Sequence, residues 1–391
     1  MVSGMDEMSA VLYSEGEPNV GVSPLFAVPW MDELIGFVIA LLVTAFMTPL
    51  VKRLAFRIGA VDRPDARKVH QRVMPRLGGL AMYIGFTAAL LLMWPGHPSA
   101  YVLLLGGGII LLVGMLDDKF QLHPVTKLCG QFIAALVPII YGLKVNLLNL
   151  PFDHDNVLLG WLSIPVTLVW VIGVTNAVNL IDGLDGLAAG VAAIATTSMM
   201  VMAVIMNNWP VVFLCSLLLG SIIGFLFYNF HPARIFMGDS GSLFLGYSLA
   251  VLSLLGFKQV TFVSLVIPIL ILAVPISDTF FAIIRRILQK RPVMQPDKNH
   301  LHHRLLEMGL THRQTVLCIY GIAAFFGSLA VLLSQATALE AIILVIIISI
   351  AAEIGVEKIG LVSKRYQPVL KLMRRVQYRL RLSTGSNTKK S

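Results

Sequence analysis

Charge is what this chain has least of. Asp, Glu, Lys and Arg make up 13% of its 391 residues, about half the share found in a soluble globular domain. Too little polar surface is left to cover a water-soluble core, so that class is excluded. Cysteine is scarce too. Cys129, Cys215 and Cys318 lie in or beside apolar runs; they have no CxxC spacing and no disulfide framework, and they read as buried apolar thiols. The chain also lacks a GxxxxGK[ST] loop and a strand–GxGxxG–helix unit, which argues against an ATPase or a dinucleotide enzyme. The first apolar run follows an acidic stretch, Met1–Trp30. Without the basic n-region of a secretory signal, no cleavage is expected there.

What is present in excess is hydrophobicity, at 57% of residues with a mean hydropathy of +0.82. The apolar residues fall in runs near 32–52, 79–95, 101–116, 125–142, 160–178, 187–206, 210–228, 242–256, 261–284, 315–334 and 338–356. A bilayer takes about 20 apolar residues per helix, so these runs predict an all-α polytopic membrane protein of about 11 transmembrane helices. The first connection holds Lys52, Arg53, Arg57, Arg63, Arg67, Lys68, Arg72 and Arg76, whereas Pro95–Ala100 holds no charge. This alternation continues along the chain and, by the positive-inside rule, puts the N-terminus outside and the C-terminus in the cytoplasm. Three parts follow: an extracytoplasmic acidic extension (1–31), a transmembrane domain with cytoplasmic loops (32–358) and a basic cytoplasmic tail (359–391). The tail suits anionic lipid, not nucleic acid.

The polar clusters all fall on the predicted cytoplasmic side. Asp117 and Asp118 end the third run, while Asn176, Asn179, Asp182 and Asp185 end the fifth. Asn229, His231, Arg234 and Gly238–Gly241 follow the seventh, and Asp297, Lys298, His300, His302, His303 and Arg304 follow the ninth. A carboxylate in hydrocarbon costs about 2.5–3.5 kcal/mol, and transport paths place such groups near the midplane. Here the midplanes carry essentially none, Asp278 being the nearest exception, so an interfacial enzyme fits better than a transporter. Adjacent Asp117 and Asp118 repel unless a cation or proton intervenes; the plain alternative is a solvated helix end paired with Lys119. The Asn176–Gly186 run can present oxygens to a hard cation and amides to an anion, and the similarly glycine-flanked Met237–Gly241 run can offer an Asp to Mg²⁺; a glycine turn with Asx caps is the other reading of the first. Phe236 can stack on a base or simply pack. The three histidines have no nearby Cys, and beside Lys298 and Arg304 they read as donors to phosphate oxygens. Together these parts support phosphoryl transfer with a hard metal.

The motifs Arg67-Lys68-Val69-His70 with Pro75 and Gly78-Gly79, Asp117-Asp118, NAVNLIDGLDG, FMGDSGS and PDKNHLHHRLLEMGLTHRQTV resemble the polyprenyl-phosphate N-acetylhexosamine-1-phosphate transferases. That superfamily includes MraY, WecA and TagO, and the histidine segment is most similar to the WecA/TagO branch. The resemblance implies transfer of N-acetylglucosamine 1-phosphate from UDP-GlcNAc to undecaprenyl phosphate, with UMP as co-product and Mg²⁺ (or Mn²⁺) as cofactor. It also implies a bacterial cytoplasmic membrane, a role in starting wall teichoic acid or a related glycan, and frequent homodimers. By motif position, Asn179 and Asp239 would hold the metal. Asp117, Asp118 and Asp182 would be the catalytic residues, Asp117 as the base towards the lipid phosphate that Lys127 contacts and Asp118 in support of it. Lys68 and His70 would bind substrate. Gly183, Leu184, Asp185 and Phe236 would form the uracil pocket, and His300, His302, His303 and Arg304 the sugar and pyrophosphate loop. The acidic lead and basic tail depart from the family pattern. An MraY-like pentapeptide transferase, a lipid or nucleotide-sugar transporter and an inactive scaffold are the alternatives.

Overall fold

The computed structural model describes residues 30–64, 73–93, 98–145, 147–149, 156–256, 262–290, 300–359 and 371. The acidic lead, most of the basic tail, Lys68, His70, Asp297 and Lys298 lie outside them. Helices dominate: α1 (Met31–Ile58), α2 (Gly78–Met93), α3 (Gly107–Phe120), α4 (Pro124–Ile140), α5 (Ser163–Ile181), α6 (Leu187–Ile205), α7 (Trp209–Asn229), α8 (Gly238–Gly256), α9 (Phe262–Ile271), α10 (Ala273–Leu288), α11 (Leu301–Glu307), α12 (His312–Ser334) and α13 (Ala338–Ile359). Among the described residues, seven helices are long and apolar enough to cross a bilayer. The protein is an all-α polytopic membrane protein.

Three details depart from the sequence reading. The run at 261–284 is two helices, because the chain breaks at Leu272, between α9 and α10. Two short antiparallel hairpins also appear, one pairing Val61 with Pro75 and the other spanning Leu147–Asn149 and Asn156–Leu158. Finally, only Cys215 is a buried thiol; Cys129 and Cys318 are exposed on their helices, on apolar faces where a thiol needs no protein cover.

The chain divides into two compact units, residues 1–276 with 312–335 and residues 277–311 with 336–391. In the first, α8 is the central element. It is buried nearly throughout and packs against α2, α3, α5, α6 and α7. Lipid offers little hydrophobic drive for helix association, so close approach through small residues has to supply it. A Cβ on Gly79 would stand 2.2 Å from the Gly241 nitrogen, and one on Gly114 would stand 2.4 Å from the Ser240 Cα. The start of α8 is therefore wedged between α2 and α3 with backbone nearly touching backbone. Several buried hydroxyls in these helices bond back to carbonyls of their own helix, as Thr175 does to Val171 (2.6 Å) and Ser253 to Ala250 (2.7 Å), which removes the cost of an unsatisfied donor at those positions.

Ahead of α3, a π turn at Val102–Gly106 joins it to a helical turn at Ser99–Tyr101. Carbonyls within this turn are taken up by hydroxyls from two neighbours, Val102 by Tyr247 (3.1 Å) and Leu104 by Tyr83 (2.7 Å). A Cβ on Gly106 would collide with the Tyr247 hydroxyl at 1.7 Å.

Gly79→Ala should lower stability by about 1–3 kcal/mol through overpacking. Gly173→Ala, where a Cβ meets nothing within 4 Å, should be neutral or slightly stabilising. Thermal unfolding of both variants in detergent checks this, and equal midpoints would refute the wedge.

Candidate active site

The site lies in the first unit, where four elements end together. Its floor is a zipper between two connections: the Phe236 N–H bonds Pro75 (2.8 Å), Gly78 bonds Phe236 (3.1 Å) and Gly79 bonds Met237 (3.1 Å). This fixes Arg76 over the start of α8. Gly238, with φ of +70°, lets the chain turn into that helix where a side chain would strike Arg76 and Asp118.

Asp118 is 5% exposed and spends both carboxylate oxygens on structure. It accepts the N–H groups of Asp239 (2.8 Å) and Ser240 (3.0 Å), capping α8 from another helix where the helix dipole favours an anion. Arg76 lies 3.6 Å away and reaches Asp239 at the same distance. Asp117 points elsewhere, accepting the Leu122 N–H (2.8 Å) and pairing with Lys127 (3.2 Å). The predicted alternative partner, Lys119, sits over the Phe120 ring instead.

Lys127 is the focus of the site. Its ammonium contacts Asp117, the Asn179 side-chain oxygen Oδ1 (3.3 Å) and Asp239. The Asn179 amide in turn donates to Asp239 (3.2 Å) and Ser242 (2.8 Å). Asn179 and Asp239, the pair expected to hold metal, thus aim hard oxygens at one point that already accommodates a cation. An all-oxygen set with carboxylates fits Mg²⁺.

Asp182 ends α5 with its electrostatic neighbours Asp239, Arg76, Asp118 and Asp185 around it. Part of its side chain is exposed, yet dense surrounding protein and the neighbouring carboxylates push its carboxyl up to about 7, against the pull of Arg76. Burial opposes the charge of Arg76, but Asp118, Asp239, Asp62 and Asp182 outweigh it and hold the guanidinium above its ordinary value. Four carboxyl groups around two cations leave an excess of negative charge.

The turn after Asp182 is held from several sides. Gly183 bonds Ile181 (2.8 Å), Leu184 is buried, and Gly186 takes φ of +75° as it leads into α6. Asn229 accepts the Gly186 N–H (3.1 Å), and Tyr320 on α12 donates to its carbonyl (2.5 Å). Asp185 accepts the His231 Nδ1 (2.8 Å) and the Ala233 N–H (3.1 Å). Phe236 is half-buried beside Met237.

In the second unit, the exceptional carboxylate of the sequence finds its partner. Buried Asp278 accepts His300 Nδ1 and the Leu301 N–H, both at 2.8 Å. It therefore caps α11 and fixes the His300 ring, whose neighbour His302 lies parallel at 6.0 Å and next to His303 at 4.2 Å. Arg304 pairs with Glu307 (3.0 Å). The sequence reading missed three contributors to these sites. Arg76 was counted only as a topological charge, Ser242 only as part of a motif, and Asp278 only as an anomaly. The place of Arg76 between Pro75 and the Gly78-Gly79 pair was the available signal.

The fold and these clusters define a multi-pass membrane protein with an acidic, metal-compatible site at its helix ends. Residues 100–257 match the family model described as glycosyl transferase family 4. The chain is 47% identical over 345 residues (88% of this chain, 96% of the relative) to a probable undecaprenyl-phosphate N-acetylglucosaminyl 1-phosphate transferase of Bacillus subtilis. It is 34% identical over 83% of its length (86% of the relative) to a decaprenyl-phosphate N-acetylglucosaminephosphotransferase of Mycolicibacterium smegmatis. It is 27% identical over 88% (95% of the relative) to an undecaprenyl-phosphate alpha-N-acetylglucosaminyl 1-phosphate transferase of Escherichia coli. The chain belongs to the polyprenyl-phosphate N-acetylglucosamine-1-phosphate transferase family, in its WecA/TagO branch.

With its carboxyl raised, folded Asp182 binds a proton that the unfolded chain has released between about pH 4 and 7, so this group makes stability fall as pH rises through that window. Asp182→Asn should accordingly stabilise the EDTA-treated protein by about 1–3 kcal/mol at pH 8 and by almost nothing at pH 4, the upper limit being reduced for partial exposure. Melting curves at both pH values test this; a pH-independent difference would sink it.

Proposed function

We propose that the protein transfers N-acetylglucosamine 1-phosphate from UDP-GlcNAc to undecaprenyl phosphate, releasing UMP at the cytoplasmic face of a bacterial cell membrane. The observation that carries this reading is the convergence of Asp117, Asn179 and Asp239 on Lys127, in a family whose relatives are named for this reaction. About eleven spans, with the N-terminus outside and the C-terminus inside, fit the alternation of basic and uncharged connections.

Asn179 and Asp239 hold Mg²⁺ in this proposal. When bound, it supplies positive charge to neutralise the donor pyrophosphate. Lys127 turns its ammonium to the phosphate of the lipid acceptor. Asp117 takes the acceptor's remaining proton on a carboxylate oxygen, and a phosphate oxygen of the lipid then attacks the sugar-bearing phosphorus directly. A new P–O bond forms, the bond to the UMP oxygen breaks, and UMP leaves with the electron pair. Asp118 does not touch reactants in this scheme; it positions Asp239 through the start of α8. Asp182 adds negative potential near the metal ligands. Gly183, Leu184, Asp185 and Phe236 receive the uracil. His300, His302, His303 and Arg304 serve the sugar and pyrophosphate, as do Lys68 and His70 for substrate binding. The product starts a wall teichoic acid or related glycan, and the enzyme works as a homodimer in family fashion.

Purified protein should release UMP only when UDP-GlcNAc, undecaprenyl phosphate and Mg²⁺ are all present. Asp239→Asn should cut turnover by about 100-fold or more while leaving the melting temperature near wild type. Release with UDP-MurNAc-pentapeptide but not UDP-GlcNAc would move the donor assignment to the MraY type. Wild-type turnover in Asp239→Asn would remove this residue from the metal site.

A further inference from the structure

The turn before α6, the connection before α8 and the first residue of α12 bring Asp185, His231 and His312 together. One carboxylate oxygen and one nitrogen from each ring lie within 4.8 Å of one another. The two imidazoles stack at 4.2 Å with 24° between their planes, and Asp185 meets His231 Nδ1 at 2.8 Å. Hydrogen bonds account for Asp185 and His231. They do not account for His312. Its ring stacks on His231, and its Nε2 is buried without any partner. A buried ring nitrogen left without a partner is one that a metal ion can take up.

We propose that Asp185, His231 and His312 form a second metal site, for a borderline divalent transition ion such as Zn²⁺. Two imidazoles and one carboxylate make a poor set for Mg²⁺, which prefers oxygen, and a good one for Zn²⁺, Co²⁺ or Ni²⁺. Three protein ligands leave a fourth position for water. The His231 and Asp185 side chains are 36% and 18% exposed, so an ion can enter from solvent. Small side-chain movements close the set, because its members come from a turn, a loop and a helix start. Other bonds already hold these segments near one another: Arg313 donates to the His231 carbonyl (3.4 Å) and Tyr320 to the Gly186 carbonyl. A bound ion ties the three together. Insofar as Asp185 belongs to the uracil pocket, which rests on the function proposed above, the ion also governs how freely that turn receives a nucleotide.

The test uses full-length, untagged protein in detergent, stripped with EDTA and returned to millimolar Mg²⁺ so that oxygen sites are filled. Co²⁺ is then titrated while its visible d–d absorption is followed. Saturable bands at about one equivalent are expected, with affinity about 10- to 100-fold weaker in His312→Gln and in His231→Gln. His303→Gln should bind like wild type, and Zn²⁺ should raise the wild-type melting temperature but not that of the two triad variants. Absent bands, bands unchanged in both triad variants, or bands lost in His303→Gln would each overturn the site. Should one triad variant fail to fold, the other decides. UMP release with Mg²⁺ alone is scored separately, so loss of this site leaves the transferase reading standing, and the reverse.

Discussion

The backbone amides that open α8 need acceptors inside packed protein, where water is scarce, and Asp118 supplies two of them. An unmet amide in that setting costs several kcal/mol. A carboxylate there without Arg76 would be costly as well. Each group is thus tolerable only because the others are present: the amides need the carboxylate, and the carboxylate needs the guanidinium, which the zipper between Pro75 and Met237 holds in place. Since α8 is the element on which α2, α3, α5, α6 and α7 converge, its first turn fixes the register of the bundle and of the reacting groups together. Asp239, the second residue of that helix, inherits its position from this arrangement.

The same crowding that holds the bundle also stores electrostatic tension. Asp117, Asp118, Asp182 and Asp239 lie closer than carboxylates would choose, with Lys127 and Arg76 as partial relief. A folded state under this strain gives up stability to present a field that favours cations and the phosphates they accompany. The two adjacent aspartates divide the labour. Asp118 faces inward and is fully engaged in structure, while Asp117 faces Lys127 and the Leu122 amide.

Much of this was legible in the chain. Run lengths alone marked out nearly every long helix, because spanning hydrocarbon imposes both length and composition. The glycine-flanked acidic motifs stood out because polar residues at helix ends in so apolar a chain need a reason. What sequence could not reveal was pairing across distance. Asp118 and Ser240 are 122 positions apart, and nothing local in Arg76 distinguishes it from the basic residues that merely set topology. Asp278 looked like an isolated intramembrane charge because its partner, His300, lies beyond the end of its helix. Cys129 and Cys318 were misjudged for a related reason: hydrophobic context says that a thiol avoids water, but not whether protein or lipid surrounds it. The break at Leu272 was hidden by a run whose hydrophobicity continues unbroken through it.

The π turn ahead of α3 amounts to an insertion absorbed without a loop. One residue more than an α-turn requires is accommodated there, and the two tyrosine hydroxyls make the bulge comfortable. Every residue downstream is thereby shifted in phase by about 100° relative to an uninterrupted helix. The stretch from Ser99 to Asp117 consequently behaves like a reading frame. Substitutions within it can be conservative or not, but deleting a single residue would turn the Asp117 and Asp118 directions round the helix axis together. In descendants of this chain, changes of sequence here are negotiable, and changes of length are not.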